Sequence, residues 1–185
     1  PRSRCASCQR PLPSCLCRWV CPTEPAMPVL VLQHPGEQRQ AKGSVRLLQL
    51  SLQNCQVEVG ERFDPAALAR WLAAPWQPPM PLARQTTRQS LLLYPVEPGD
   101  PAAAALSLPL PDPAGWRLVL LDGTWRQARG LLRRHALLQQ LPRRSSLAGM
   151  PCLGLALQLL ADLLNVIQID MRIAERMDEF TGLEV

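Results

Sequence analysis

At 185 residues, 47% of them hydrophobic, the chain has material for one compact core and room for a small appendage. No apolar run is long and unbroken enough to cross a bilayer, and no basic-then-apolar leader opens the sequence. The expectation is a soluble, cytoplasmic protein without a membrane attachment, and the opening Pro1 is expected to lie inside a longer gene product. The net charge of +5 is almost entirely arginine, since Lys42 is the only lysine, and it is unevenly spread. Between Asp112 and Met150 seven arginines (117, 126, 129, 133, 134, 143, 144) face two aspartates, whereas from Pro151 onward six acids face Arg172 and Arg176. A charge run is ordinarily a solvated face. Guanidinium forks, however, match phosphate oxygens, and that tips the reading towards nucleic-acid contact.

In chain order, the first 24 residues are polar and cysteine-rich, with neither helical nor strand period. Cys5, Cys8, Cys15 and Cys17 form C-x2-C-x6-C-x-C within thirteen residues. Two close pairs of soft ligands across a tight loop suit a tetrahedral Zn2+ site that stabilises the fold and leaves no position open for substrate. Disulfides fit poorly in a chain read as having no secretion signal. Cys21 could replace one of the four, while Cys55 and Cys152 read as core residues. The zinc-binding segment, 1–24, precedes the main domain, 25–185.

PVLVLQ (28–33) is a short apolar strand ending in HPGE. SVRLLQLSL (44–52) has helical spacing, and CQVEV (55–59) alternates as a strand does. Asp64 followed by Pro65 starts a helix, cap and fixed φ in the right order, and PWQPPMP (75–81) ends it. SLLLY (90–94) is a third strand. A Pro- and Ala-rich loop runs to Gly115, residues 117–121 form a fourth strand, and 124–141 form one long helix with His135 on its surface. CLGLALQLLADLLNVI (152–167) is apolar nearly all round, so it is expected to be a helix buried internally or at an interface, and monomer and homodimer both remain open. Strands alternating with helices give an α/β fold of three layers around a mostly parallel sheet.

The stretch LVLLDGTWRQARGLLRRH (118–135) joins strand to helix through Asp122, Gly123, Thr124 and Trp125. Asp-Gly signals a hairpin when strands flank it. Here the following residues have helical spacing instead, with Trp125, Ala128 and Leu132 on one face and Arg126, Arg129 and Arg133 on another. The joint therefore lies at the carboxyl edge of the sheet, where open α/β sheets bind ligands. Gly123 permits close backbone approach, Thr124 caps the helix and Asp122 points into the crevice.

Asp122-Gly123-Thr124-Trp125 resembles the signature of the DTW-domain family, the aminocarboxypropyltransferases that act on uridine in tRNA. CASCQRPLPSCLC, LQHPGE (32–37) and LLLYP (91–95) match the same pattern in the same order, so the resemblance extends from Cys5 to about Leu141. It implies transfer of the 3-amino-3-carboxypropyl group of S-adenosylmethionine to N3 of a uridine, at position 47 of the variable loop in bacterial members and in the D-loop in eukaryotic relatives, with release of methylthioadenosine. It also implies a fold similar to the SPOUT superfamily, with a C-terminal trefoil knot. By resemblance, Asp122 accepts or orients the N3 proton or holds the amino group of the co-substrate. Leu93, Tyr94, Leu121, Gly123, Thr124, Trp125, Ser145 and Ser146 wall the S-adenosylmethionine pocket, and Trp125 stacks on a base or on adenine. His34, Glu37 and Arg46 are expected to meet the tRNA, with Lys42 and Ser44 beside them. Arg126, Arg129, Arg133 and Arg134 form the tRNA track.

LPRRSSLAGMP (141–151) departs from the family pattern. An Ile-Arg-Lys type segment and then Leu-Ser-Thr-x-Glu-Ala are expected there; Ser145 and Ser146 stand as the Ser-Thr remnant, the Glu is absent and the stretch is short by a loop. The rival readings are a SPOUT-type RNA methyltransferase and a non-catalytic, zinc-bearing RNA-binding module.

Overall fold

The computed structural model of the chain describes residues 3–20, 22–23, 27–38, 40, 44–73, 89–96 and 115–145. Its regular elements are β1 (Val29–Gln33), α1 (Val45–Ser51), β2 (Cys55–Val59), α2 (Pro65–Ala73), β3 (Gln89–Leu93), β4 (Trp116–Asp122), α3 (Trp125–Arg134), α4 (Ala136–Gln139) and β5 (Arg143–Arg144), with short 3-10 turns at Leu12–Ser14, Cys17–Trp19 and Pro35–Glu37. The strands form one sheet in the order β2-β1-β4-β3-β5, every pairing parallel.

The sheet is buried on both faces, which is why its central strands read as nearly unbroken apolar runs. On one face Val29, Val31, Leu91, Leu93, Leu118 and Leu120 pack with Val45, Leu48 and Leu52 of the α1 region. On the other, Leu30, Leu32, Leu92 and Val119 pack under Leu68 and Leu72 of α2, Ala128, Leu131 and Leu132 of α3, and Leu138 of α4. Side chains buried like these contribute about 1.5–3 kcal/mol each relative to exposure. The outcome is the expected three layers. At the start of α2 the Asp64 carboxylate accepts the Ala67 N–H at 2.8 Å, as the Asp-Pro pair foretells.

Three features differ from the sequence expectations. The helix expected over 124–141 breaks at His135, which is buried and extended (φ −123°, ψ 101°) rather than a helix-surface residue. Its Nδ1–H donates to the Leu131 carbonyl at 2.8 Å and its Nε2 accepts the Phe63 N–H at 2.9 Å, so the ring ties α3 to the loop before α2. That buried bond across 72 residues outweighs the continuous helical period. Second, Arg117 is only 1% exposed, inside β4, and so is no part of a solvated arginine track. Third, Arg143–Arg144 form a short edge strand on β3, with the Tyr94 N–H donating to the Arg144 carbonyl at 2.9 Å. The helix expected over 152–167 and any knot formed with it lie outside the described residues, as do Lys42, Cys21 and Cys152.

Because both ring nitrogens of His135 are engaged, His135→Leu leaves the Phe63 N–H and the Leu131 carbonyl unsatisfied in the interior. It is expected to cost about 1–3 kcal/mol, read as a lower denaturant midpoint, whereas Arg133→Ala on the exposed face of the same helix is expected to change stability by less than about 0.5 kcal/mol.

Candidate functional site

The carboxyl edge of the sheet gathers three chain segments. β1 ends at Gln33, directly opposite Asp122, the last residue of β4. The His34 N–H donates to the Asp122 carbonyl at 2.8 Å, and the Gly60 N–H donates to the Gln33 carbonyl at 3.0 Å. The ladder therefore continues one residue past each strand and brings the HPGE turn, the end of β2 and the DGTW joint together. Because parallel neighbours in register point the same way, Gln33 and Asp122 share the α1 face of the sheet, and Gln33 Nε2 donates to Asp122 Oδ2 at 2.8 Å.

Asp122 is partly buried. Burial raises its carboxyl above the ordinary aspartate range, and the Gln33 hydrogen bond offsets part of that rise. Its side chain borders a void of about 20 Å³ with Val31, Val45, Leu48, Leu93, Leu120 and Leu121, room for about one water. Gln33 lines a larger cleft of about 210 Å³ together with Glu37, Val45 and Arg46. Glu37 is raised by burial first and by the Asp122 charge second, with His34 offsetting the rise, so the two carboxylates sense each other.

His34 is fixed rather than free. Its Nδ1 accepts the Gly36 N–H at 3.1 Å, which leaves the proton on Nε2 to donate to Glu61 Oε1 at 3.3 Å. This pair ties the HPGE turn to the loop after β2. Glu61 had no signal of its own in the sequence. Gln33 had one, a polar residue closing the period-2 face Val29-Val31-Gln33 of a buried strand.

The DGTW joint follows from local rules. Thr124 Oγ1 accepts the Gln127 N–H at 3.4 Å while Gln127 Oε1 accepts the Thr124 N–H at 2.7 Å, a reciprocal capping box readable as T-x-x-Q. A Cβ on Gly123 would stand 2.9 Å from Gln127 Cβ and 3.4 Å from His34 Cβ, so close approach is what requires glycine there. Beside the joint Tyr94 stacks on Trp125, ring centroids 5.3 Å apart and 12° from parallel, and the Arg129 guanidinium lies 5.2 Å from the Trp125 ring centre. One indole face is thus taken by Tyr94. Burial raises the Tyr94 hydroxyl, and Arg129 offsets part of the effect. Trp125 Nε1 is buried without a hydrogen-bond partner among the described residues.

Of the other expected pocket residues, Leu93 and Leu121 line the void beside Asp122, and Ser145 Oγ accepts the Val96 N–H at 3.1 Å next to the Tyr94 strand end. Ser146 lies outside the described residues. Arg126, Arg129, Arg133 and Arg134 are exposed along α3. Arg46 is committed to structure in part: its Nε donates to the Ser7 carbonyl at 2.8 Å and fastens the cysteine segment to α1.

In that segment Cys5, Cys8, Cys15 and Cys17 place their four sulfurs within 4.8 Å of one another, with 3.6 Å between Cys5 and Cys17 and between Cys8 and Cys15. The sulfurs of a tetrahedral tetrathiolate ion with bonds of about 2.3 Å lie about 3.8 Å apart, so the four cysteines could hold a metal ion. The first pair sits on a tight turn closed by Cys5 N–H to Arg10 carbonyl at 2.8 Å and Gln9 N–H to Cys5 carbonyl at 2.9 Å, with Gln9 in the left-handed region at φ 61°. The backbone amides of Arg10 and Leu16 bring the Cys8 thiol down to about 6, while Cys17, beside the Cys5 and Cys15 sulfurs, is pushed up to about 12. Cys55, outside the cluster, is pushed up to about 12 by burial alone.

Residues 2–149 match the family described as DTW domain. The chain is 33% identical, over 156 residues, to a Drosophila melanogaster protein named tRNA-uridine aminocarboxypropyltransferase 2; the match covers 76% of this chain and 52% of that relative. The chain thus spans about half the length of the curated relative it matches. No solved structure matches it.

Gly123→Ala is expected to push Gln127 out of the capping box and lower stability by about 1 kcal/mol, the usual worth of such a cap. Thr124→Ser, which keeps the acceptor, is expected to leave the thermal midpoint unchanged or slightly raised, since Ser ranks at or above Thr as a cap.

Proposed function

The chain belongs to the DTW-domain family, and on that premise we propose that it transfers the 3-amino-3-carboxypropyl group of S-adenosylmethionine to N3 of a uridine in tRNA, at position 47 of the variable loop, releasing methylthioadenosine. The observation that carries this reading is the half-buried Asp122 carboxylate at the carboxyl end of β4, raised above the ordinary aspartate range inside the DGTW joint.

Uridine N3 is a weak acid and attacks carbon only once its proton is removed. Asp122 accepts that proton, and a raised carboxylate is the better base for a weak acid. Gln33 fixes Oδ2, so the remaining oxygen has a defined direction. When bound, S-adenosylmethionine supplies the electrophile: N3 forms a bond to its γ-methylene, the C–S electron pair stays on sulfur and methylthioadenosine leaves as a neutral thioether. Leu93, Tyr94, Leu121, Gly123, Thr124, Trp125 and Ser145 are the residues to hold it, and the unpartnered Trp125 Nε1 has a donor to offer a carboxylate or a ring nitrogen. The arginines exposed on α3 are the track for tRNA phosphates. His34 and Glu37 shape the crevice in which the uridine sits. The four cysteines hold a structural Zn2+, with no ligand position left open for chemistry.

The reading is tested by incubating the protein with tRNA and S-adenosylmethionine labelled either in the carboxypropyl chain or in the methyl group, followed by mass analysis of the nucleosides. Carboxypropyl label in uridine is expected. Methyl label in its place moves the protein to the RNA methyltransferases, and label of neither kind together with tRNA binding makes it a binding module.

Asp122→Asn keeps the hydrogen bond from Gln33 and is expected to lower kcat by about 10²–10⁴-fold, the range of a general base. The acid limb of the pH–rate profile reports protonation of Asp122. Since burial raises this group, the limb is expected above the ordinary carboxylate range. Gln33→Leu removes the bond that favours the charged form, so the limb is expected to move to still higher pH. One zinc per chain is expected by elemental analysis. Cys8→Ser is expected to abolish it and, by loosening residues 3–20, to open that segment to protease.

A further inference from the structure

The cleft between the four-cysteine segment and α1 has chemistry that neither the DTW signature nor a structural metal accounts for. The cysteine turn contributes Arg4, Cys8 and Arg10 to its lining, the start of α1 contributes Val45 and Arg46, and Gln33 and Glu37 line it as well. It connects with the reaction centre through two residues. Val45 borders both this cleft and the void beside Asp122, and Gln33 lines the cleft while donating to the Asp122 carboxylate at 2.8 Å.

Three arginines line this space, Arg4 and Arg46 at exposed positions, against one carboxylate, Glu37, and the buried Gln33. That polarity is wrong for S-adenosylmethionine, whose reacting sulfur is itself cationic. The volume, about 210 Å³, is also below the roughly 300–1,000 Å³ of pockets that enclose a whole ligand of cofactor size. Charge and size suit a piece of an RNA strand, phosphate outward among the arginines and base inward towards Gln33, whose amide presents both a donor and an acceptor to a pyrimidine edge.

We propose that this cleft is the subsite for the reacting nucleotide. Arg4 and Arg10 of the cysteine segment clamp the phosphates flanking the uridine, and the base enters along Gln33 to Asp122. The cysteine segment is then one jaw of the RNA site, braced on α1 by the bond from Arg46 Nε to the Ser7 carbonyl. The exposed arginines of α3 hold the body of the RNA at a distance from the base. The inference rests on the reading of the substrate as RNA, and it does not depend on which group is transferred.

Arg4 and Arg10 are the residues to alter, because Arg46 fastens the segment to α1, whereas Arg4 Nη1 donates within the segment, to the Gln9 carbonyl at 3.1 Å. With Arg4→Glu and Arg10→Glu combined in the zinc-loaded chain, tRNA affinity measured by fluorescence anisotropy is expected to fall at least about tenfold. The slope of log affinity against log salt is expected to lessen by about two, one for each phosphate that is no longer neutralised. Zinc content and S-adenosylmethionine affinity are expected to match the unaltered protein. Unchanged tRNA affinity and salt slope overturn the proposal. Independently of that variant, 4-thiouridine tRNA irradiated with the unaltered protein is expected to cross-link to peptides holding residues 4–10 or 33–49, and adducts confined to α3 overturn it. If the unaltered protein transfers nothing from S-adenosylmethionine, the transfer reading falls, while binding and cross-links still decide the cleft.

Discussion

The pairing of Gln33 with Asp122 is the constraint on which the site depends. Both residues end parallel strands, and their register sets which way they point. Strand side chains alternate with a period of two, so slipping β4 by one residue against β1 would turn Asp122 away from the α1 face and carry the whole apolar set of the strand with it. The core therefore enforces the orientation of the carboxylate: Leu118 and Leu120 cannot be buried against α1 unless Asp122 faces the same way. The two backbone bonds just beyond the strands, from His34 to Asp122 and from Gly60 to Gln33, carry this order into the loops. Rigidity made by packing is thus passed to residues that packing alone would leave free.

Much of this was legible in the sequence because the elements obey short-range rules. Of the nine elements among the described residues, six, β1, α1, β2, α2, β3 and β4, fall within about one residue of the runs that hydrophobic period and capping chemistry mark out, within the usual uncertainty of such boundaries. Asp122 stood out because a strand passed directly into a helix across an Asp-Gly pair. What the sequence hid is what depends on distant partners. His135 breaks its helix because a backbone amide 72 residues earlier needs an acceptor, and nothing near RRHALL carries that information. β5 is two arginines held by the edge of β3, a strand by pairing rather than propensity. Arg117 reads as one more surface cation until β4 is seen to be buried on both sides. Gln33 was visible as a letter in LQHPGE, yet its role appears only when the strand across from it is known.

The cysteine segment shows how a small unit without a core acquires a fixed place. Residues 3–20 bury little beyond Cys8. Their order comes from a turn hydrogen-bonded between Cys5 and Arg10, from four sulfurs drawn within 4.8 Å, and from one guanidinium reaching across from α1 to Ser7. Such a segment is poor ballast for stability. It is well suited to presenting cations, since a turn closed by backbone bonds leaves long side chains on its rim. α3 presents its arginines by another route, an amphipathic helix whose Ala128, Leu131 and Leu132 are buried and whose opposite face is cationic. Exposed arginines are therefore presented by two elements that owe nothing to each other in sequence, while the Asp122 and Glu37 carboxylates sense one another at the carboxyl edge of the sheet.

The number of donors on Asp122 decides what the carboxylate can do. A carboxylate that accepts two or three amide bonds is driven well below the ordinary range and loses its basicity; one buried with no donor is lifted so far that it stays protonated. Among the described residues Asp122 has a single side-chain donor, Gln33, set against partial burial, and the balance is a modest rise. That balance has a thermodynamic sign. An acid whose folded pKa exceeds its unfolded value favours the fold most when protonated, and this contribution is lost as pH rises through the interval between the two. At neutral pH the ionised Asp122 is thus a cost to the fold, held small by one hydrogen bond. Asp122→Asn removes the charge and keeps the bond, so it should raise the thermal midpoint while removing the base. A lower midpoint for Asp122→Asn would mean that the charge holds the crevice together, and Asp122 would then be a structural anion and not the group that takes the uridine proton.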